Sequence, residues 1–218
     1  AWLPAAYRLL PAPLLALVGG LLTKLSIYII LRLSGQVFEL NLFYDALGWL
    51  AVITMISGVL GAAYHWDLRR ILAFHIVSQV GFLLLGIALA SPAGATGTAF
   101  FLFHNILVKA NLFLIAGVIW MTAGHYDLRR IGGLFPAGPL LSVMFLLSAL
   151  SLVGVPPTSG FWGKLLIISE SLDQQHYWWA AAALFTGMLT LYSMSKIWLE
   201  GFWKPHPENS VADQAVSY

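Results

Sequence analysis

The strongest constraint on this chain is a series of apolar runs, each long enough to cross a lipid bilayer, with few charges between them. Of the 218 residues, 60% are hydrophobic and only 9% are charged. A soluble domain carries about a quarter charged residues, because its surface must be hydrated. A transmembrane helix needs about 20 predominantly apolar residues, and an open sheet edge cannot be satisfied in lipid. The sequence therefore predicts an all-α polytopic membrane protein.

A hydropathy scan predicts six transmembrane helices. Their ranges are 13–33, 42–64, 71–91, 97–122, 139–170 and 177–200. They form one transmembrane domain over residues 1–200, and the polar stretch 201–218 is expected to be a cytoplasmic tail.

The basic residues of the loops predict the orientation. With six spans, both ends of the chain lie on the same side of the membrane. That side carries Arg8, Arg69, Arg70, Arg129, Arg130 and Lys204, whereas the opposite side carries Arg32. Short loops rich in Lys and Arg are typically cytoplasmic. We expect a multi-pass protein of the cell membrane with both ends of this chain in the cytoplasm.

The fifth span is predicted to be a broken helix. Its middle contains Gly154, Pro156, Pro157, Gly160 and Gly163. Proline removes a backbone donor and disfavours the α conformation in the preceding residue, and glycine permits the resulting turn. We expect a helix over 139–153, an unwound link, and a second helix over 160–170; an ordinary proline kink is the alternative. Broken helices at membrane depth face protein or water, and transporters place ion sites there.

Three lysines lie inside the apolar runs: Lys24, Lys109 and Lys164. A charged side chain at the bilayer centre costs about 3 kcal/mol on insertion scales, so such residues face a protein interior or a hydrated cavity and mark ion or proton routes. We interpret these lysines as candidate proton-transfer residues.

Two histidines are further candidates for proton transfer, because imidazole titrates near neutral pH. His104 lies five residues before Lys109, which places the two on different sides of one helix. His75 belongs to a polar stripe with Ser78 and Gln79. The alternative for each histidine is a packing role, hydrogen-bonded to a neighbouring helix.

Two further patterns lie at the predicted cytoplasmic boundary. The segment Trp66-Asp67-Leu-Arg-Arg-Ile71 recurs as Tyr126-Asp127-Leu-Arg-Arg-Ile131. We expect each aspartate to cap a helix and the arginines to lie at the lipid headgroups. We also expect Lys196 and Glu200, four residues apart, to form a surface ion pair.

The composition excludes several classes of site. The chain has no cysteine, and therefore no disulfide and no thiolate-held metal or iron–sulfur cluster. Its sequence contains no glycine-rich phosphate loop, no nucleophile triad and no basic patch for nucleic acid. We therefore expect no cofactor, no metal and no nucleic-acid partner, and a transporter subunit rather than an enzyme.

Several motifs together resemble a known family. They are Leu-Leu-Thr-Lys24, the run from Asp67 to Gly81, Lys109-Ala-Asn-Leu-Phe, and Gly154-Val-Pro-Pro-Thr-Ser-Gly-Phe-Trp-Gly-Lys164. In this order they resemble the antiporter-like proton-translocating subunits shared by complex I and the Mrp-type multisubunit Na⁺/H⁺ antiporters, with the Mrp type most similar.

The resemblance implies a fold of fourteen helices with two inverted repeats, of which this chain looks like helices eight to thirteen. It implies that Lys24 bridges two half-channels, that Lys109 is the central lysine of the second, and that Lys164 ends the route on the broken helix. The family often has histidines eight and four residues before the central lysine. This chain has Phe101 and Asn105 there, so the resemblance does not assign a role to His104.

The expected function is therefore that of a membrane-embedded subunit exchanging protons for Na⁺ or another monovalent cation, with the other subunits of the complex as partners. One alternative is a proton-pumping subunit of complex I (NADH:quinone oxidoreductase) or of a membrane-bound hydrogenase. A second is a structural subunit that conducts nothing.

Overall fold

The computed structural model describes residues 6–7, 10–37 and 41–205, and these are almost entirely helical. The helices are α1 (Ala12–Val37), α2 (Asn41–Tyr64), α3 (Leu68–Ala88), α4 (Pro92–Ala123), the short α5 (Leu134–Ala137), α6 (Pro139–Val153), α7 (Ser159–Asp173) and α8 (Tyr177–Ile197). A π-helical turn, Trp198–Trp203, continues α8. The predictions for Arg8 and for most of the tail, 206–218, lie outside the described residues.

Four helices, α1 to α4, are long and apolar enough to cross a membrane, and they match the first four predicted spans. The fourth begins earlier than expected, because the Ser91 hydroxyl accepts a hydrogen bond from Gly94 N at 3.0 Å and Pro92 opens the helix. The two halves of the fifth span have 15 residues each, and α8 has 21. The six-span count stays a prediction.

The broken helix predicted for the fifth span is present. The helix α6 ends at Val153, and α7 begins at Ser159. The alternative of a single kinked helix is wrong, since the five residues between them are not helical. Gly154 has a φ of 89°, a left-handed conformation that only glycine adopts without strain, and it turns the chain out of α6.

The distribution of side chains is the reverse of that in a soluble protein. Large apolar residues such as Leu17, Leu107, Leu140 and Met188 are exposed on the outside of the bundle. Most of α3 is buried at the centre, packed against α2 and α4. An apolar exterior around ionisable interior groups is the arrangement that a lipid environment favours.

The repeated segments 66–71 and 126–131 pair with each other, and we call them the paired loops. Asp67 and Asp127 form an antiparallel bridge, in which Leu68 N donates to Tyr126 O at 2.9 Å and Leu128 N to Trp66 O at 3.0 Å. The sequence repeat therefore produces a reciprocal backbone contact between the start of α3 and the segment after α4.

The arginines of the paired loops stack on aromatic rings. The guanidinium of Arg69 lies 3.7 Å from the centre of the Tyr126 ring, and that of Arg129 lies 4.7 Å from the Trp66 ring. The first arginine of each copy thus covers the aromatic residue that opens the other copy. Cation–π contacts of this kind contribute about 0.5–2 kcal/mol each.

The predicted helix cap is confirmed in one copy and wrong in the other. The Asp67 carboxylate accepts from Arg70 N at 3.0 Å and caps α3. The Asp127 carboxylate accepts from Arg129 N at 3.0 Å, but a turn follows it instead of a helix. The glycines that follow Ile131 favour a loop over a helix.

The end of the bundle that carries the paired loops also carries the start of the tail. Gly133 N donates to the carbonyl of Lys204 at 2.6 Å. The described members of the basic group, which are Arg69, Arg70, Arg129, Arg130 and Lys204, therefore lie at one end of the bundle, and we call this the basic end.

The cap of α3 can be tested by substitution. We expect Asp67→Ala to lower the free energy of unfolding by about 1 kcal/mol, because it removes the acceptor for the first turn of α3. The measurement is thermal unfolding of the full-length protein in detergent. Asp67→Asn is the matched control, since asparagine caps a helix equally well, and equal losses for both substitutions would contradict the capping role.

Candidate functional site

Four lysine side chains are buried inside the bundle. Lys24, Lys109 and Lys164 expose 1%, 0% and 6% of their surface, as the sequence predicted, and Lys196 exposes 9%. Among the described residues, the salt bridge found is the one between Lys204 and Glu200, at 3.2 Å. The described partners of the four buried ammonium groups are main-chain carbonyls.

The break between α6 and α7 builds the site of Lys164. Its Nζ donates to the carbonyls of Leu152 and Val153 at 2.9 and 2.8 Å. These carbonyls belong to the last turn of α6, where the helix no longer supplies N–H groups to donate to them. A cation at this position also complements the negative end of the α6 dipole. The rings of Phe82 and Phe101 lie 4.9 and 5.9 Å from the same nitrogen.

Lys196 is bound at a second helix end. Its Nζ donates to the carbonyls of Ala63 and His65, both at 2.7 Å, and it lies 4.9 Å from the Trp66 ring centre. These carbonyls surround the last residue of α2, Tyr64. The last turn of α2 therefore binds the ammonium of Lys196 as the last turn of α6 binds that of Lys164.

The predicted surface pair between Lys196 and Glu200 is wrong. Glu200 pairs with Lys204 instead. The difference follows from the partners that each side chain has, because Lys196 Nζ is bound to the carbonyls of Ala63 and His65, whereas Glu200 has its i,i+4 partner in Lys204.

Lys24 and Lys109 have fewer described partners. Lys24 Nζ donates to Gly19 O at 2.9 Å, within α1. Lys109 Nζ donates to Leu72 O of α3 at the longer distance of 3.4 Å. An ammonium group carries three donors, so both have hydrogen-bonding capacity left. The helix of Lys109, α4, packs against both α1 and α7, and Lys109 lies within electrostatic range of Lys24 and Lys164.

The two candidate histidines are each bonded to another helix. The Nδ1 atom of His104 lies 2.9 Å from the Ser159 hydroxyl, and Nε2 of His75 lies 3.0 Å from the Ser193 hydroxyl. The second ring nitrogen of each is buried with no partner among the described residues. Each histidine therefore combines the packing role with a free nitrogen that can carry a proton.

Other buried polar atoms without described partners lie near these histidines in the sequence. They are the hydroxyl of Ser78, both amide atoms of Gln79 and the amide oxygen of Asn105. The Asn105 amide nitrogen donates to Phe101 O at 3.3 Å. Buried polar groups that lack protein partners normally bind ordered water. The interior therefore has polar capacity beyond the lysines, in a core that is otherwise apolar.

A row of hydroxyl groups on α8 was not among the features predicted from the sequence. Thr186, Thr190 and Ser193 are all fully buried and are spaced four and three residues apart, on the helical face that ends at Lys196. That spacing was visible in the sequence. Ser159, the partner of His104, could not be identified from the sequence, because it lies 55 residues away at the start of α7.

Gly160 and Gly163 belong to the first turns of α7, after the link that contains Gly154, Pro156 and Pro157. They permit close packing of α7. A Cβ atom on Gly163 would lie 2.9 Å from Phe101 Cβ. One on Gly160 would lie 2.8 Å from His104 Nε2 and would collide with the Ser151 carbonyl.

The fold and the buried lysines define a helical membrane protein with ionisable groups in its interior, a class in which such groups mark ion routes. Residues 1–190 match the family model described as NADH:quinone oxidoreductase/Mrp antiporter, TM. The chain belongs to this family.

The relatives agree with this assignment. The chain is 43% identical over 204 residues to the D-type subunit of the Na⁺/H⁺ antiporter of Alkalihalophilus pseudofirmus, covering 93% of this chain and 41% of the relative. It is similar to a chain of the Mrp complex from a Dietzia species, with a TM-score of 0.91, 41% identity, and coverage of 94% and 39%. A chain of respiratory complex I from Thermus thermophilus gives a TM-score of 0.86 at 26% identity, with coverage of 93% and 44%. The chain thus spans about two fifths of the length of these relatives.

The close packing at Gly160 generates a prediction. We expect Gly160→Ala to destabilise the full-length protein by about 1–3 kcal/mol, because the added methyl group must displace His104 or the end of α6. Thermal unfolding in detergent measures this.

The matched control is Gly187→Ala in α8, where an added Cβ atom meets nothing within 4 Å. This change should be neutral or stabilise the helix by up to about 1 kcal/mol. Equal effects at the two glycines would contradict the packing argument.

Proposed function

We propose that this chain is part of the D-type subunit of an Mrp-type multisubunit antiporter, which exchanges Na⁺ or another monovalent cation for protons. The observation that carries the proposal is the set of three buried lysines, each bound to main-chain carbonyls, on α1, α4 and α7. The helix of the central lysine, α4, packs against both of the others. The names of the relatives favour the Mrp type over the other members of the family.

The proposed proton route uses Lys24, Lys109 and Lys164, with His104 and His75 beside it. Water bound to the unpartnered polar atoms would join these groups, since the described lysine nitrogens bond to carbonyls, which cannot pass a proton. Two ammonium groups about 10 Å apart repel by roughly 1.7 kcal/mol at an effective dielectric constant of 20. Protonation of one lysine therefore favours release from the next.

The last turn of α6, just before the link, would act as the hydrogen-bond acceptor at one end of this route. Lys164 binds the two carbonyls that the break in α6 exposes, so movement of α7 relative to α6 changes how firmly its proton is held. The residues Gly154, Pro156, Pro157, Gly160 and Gly163 would support the site by shaping the link and its packing.

The whole protein would have fourteen helices arranged in inverted repeats. This chain would be a fragment of it that supplies six of the membrane spans, at about helices eight to thirteen. It would lie in the cell membrane with both ends of this chain in the cytoplasm. Its partners would be other subunits of the complex, the lipid bilayer, H⁺ and Na⁺, and the chain itself would need no cofactor.

A second candidate function is proton pumping within a redox enzyme of the complex I type. The observation that favours this alternative is the similarity of the chain to a chain of complex I, at 26% identity. Purification of the protein with its native partners separates the two. Iron–sulfur signals and NADH- or hydrogen-dependent electron transfer in the purified complex would support the redox enzyme, and their absence together with Na⁺-driven proton movement would support the antiporter.

The proton route predicts a loss of transport on removal of its central lysine. We expect Lys109→Met in the full-length complex to reduce Na⁺-dependent proton movement in membrane vesicles at least tenfold, because the relay loses its middle group. The fluorescence of a pH-sensitive dye measures the movement.

Lys204→Met, which changes a half-exposed lysine in a surface pair, is the control and should transport normally. Normal transport by a Lys109→Met complex that is assembled and present at normal abundance would exclude the proton route. It would favour the structural-subunit alternative.

The proposed topology can be tested by cysteine labelling, because these 218 residues contain no cysteine. His125 is exposed at the basic end and Asp173 is exposed at the opposite end of the bundle. We expect a membrane-impermeant maleimide to label Asp173→Cys in intact cells and His125→Cys only after the cytoplasmic side is opened. The reverse pattern would overturn the proposed orientation.

A further inference from the structure

A polar strip runs between α3 and α8, apart from the three-lysine route. It contains His75, whose Nε2 atom lies 3.0 Å from the Ser193 hydroxyl, and the buried Thr186 and Thr190 of α8. Lys196 follows Ser193 by three residues and therefore projects from the same side of α8. The strip thus extends from the centre of the bundle to the end of α8.

Lys196 connects this strip to the basic end. Its Nζ bonds to the carbonyls of Ala63 and His65, which belong to the segment leading into the paired loops. The ring of Trp66 lies against it at 4.9 Å. Lys196 retains 9% exposure, whereas His75 and Ser193 are fully buried, so the strip reaches the surface at this lysine.

We propose that Lys196 is a proton-exchange site, through which the buried relay takes up or releases protons at the basic end by way of Ser193 and His75. This inference rests on the proposed function, because it adds an access route to the relay described there. The observations that carry it are the contact of His75 with the Ser193 hydroxyl and the position of the partly exposed Lys196 three residues further along the same face of α8.

One proton passes along the route in each cycle, and every group returns to its starting protonation state. The ammonium of Lys196 gives a proton to a water molecule, which passes one to the Ser193 hydroxyl as that hydroxyl gives its own proton to Nε2 of His75. The imidazole then releases its Nδ1 proton toward the polar groups of α3 and the lysines. A proton from the surface restores the ammonium, and a change of tautomer restores His75.

Several charged or titratable groups face Lys196 and set the conditions of this exchange. Arg129 of the paired loops and Glu200 of the π-helical turn lie within electrostatic range of it, and so does His75 of α3. His65 contacts it through its carbonyl. The positive charge of Arg129 destabilises the ammonium form of Lys196, and the negative charge of Glu200 stabilises it. The two effects oppose each other at this end of the strip.

The competing explanation is that Lys196 only caps the end of α2. Lys196→Arg separates the two roles, because arginine keeps a cation and hydrogen-bond donors but is not deprotonated in proteins. In the assembled antiporter we expect Lys196→Arg to retain thermal stability and to lose at least fivefold in proton transport. Lys204→Arg should transport normally. A Lys196→Arg complex that is stable and transports at the wild-type rate would overturn the proposal.

A second variant decides the matter if Lys196→Arg fails to assemble. Ser193→Ala removes the relay hydroxyl, which is also the hydrogen-bond partner of His75, and we expect slower transport with a larger solvent deuterium isotope effect. The matched control is Ser171→Ala, a buried serine of α7 that donates to its own helix at Ile167 O. An unchanged rate and isotope effect in Ser193→Ala would overturn the proposal.

Lys109→Met is measured in the same experiment. Loss of transport in that variant, with normal transport in Ser193→Ala and in an assembled Lys196→Arg, would reject this access route and leave the proposed function intact. Normal transport in Lys109→Met would reject the proposed function itself.

Discussion

The structure depends on one interaction, the hydrogen bond from a buried lysine ammonium group to main-chain carbonyls at the end of a helix. An isolated charge is costly inside a membrane protein, and its described partners here are carbonyls, not carboxylates. The last turn of a helix provides such carbonyls together with the negative end of its dipole. The bonds of Lys164 to Leu152 and Val153 therefore require α6 to end where it does. The end of α6 at the break is thus a binding site for a cation.

The same principle explains how the basic end is organised. The helix α2 ends at Tyr64, and the carbonyls on either side of that residue bind Lys196 of α8. The chain then enters the paired loops, where two arginines cover two aromatic rings. The end of α2, Lys196 and the paired loops therefore pack together as one unit. A change in the protonation of Lys196 would alter the bonds that hold α2 against α8 at this end.

The sequence predicted the features that follow from local chemistry. The burial of Lys24, Lys109 and Lys164, the end of α6 at Gly154 and the cap at Asp67 each depend on residues adjacent in the chain. The features it missed depend on distant partners. The loops pair across about sixty residues and Lys196 reaches the end of another helix, neither of which local spacing can indicate. The predicted pair of Lys196 with Glu200 also failed for this reason, since Lys196 binds the end of α2 and Glu200 pairs with Lys204.

The lysines differ in how firmly the protein holds them, and this difference bears on the proposed proton route. Lys164 and Lys196 each donate to two carbonyls at 2.9 Å or less, whereas Lys109 donates to one at 3.4 Å. A relay in which every site bound its proton equally firmly would be slow, since each step would have to break the same strong bonds. Here firm binding occurs at two helix ends, and the central lysine depends more on surrounding polar groups. The helix α4 is packed between α1 and α7, whereas Lys164 and Lys196 each join the ends of two different helices. In the proposed route, a relative movement of those helices would therefore control the passage of protons at these two lysines.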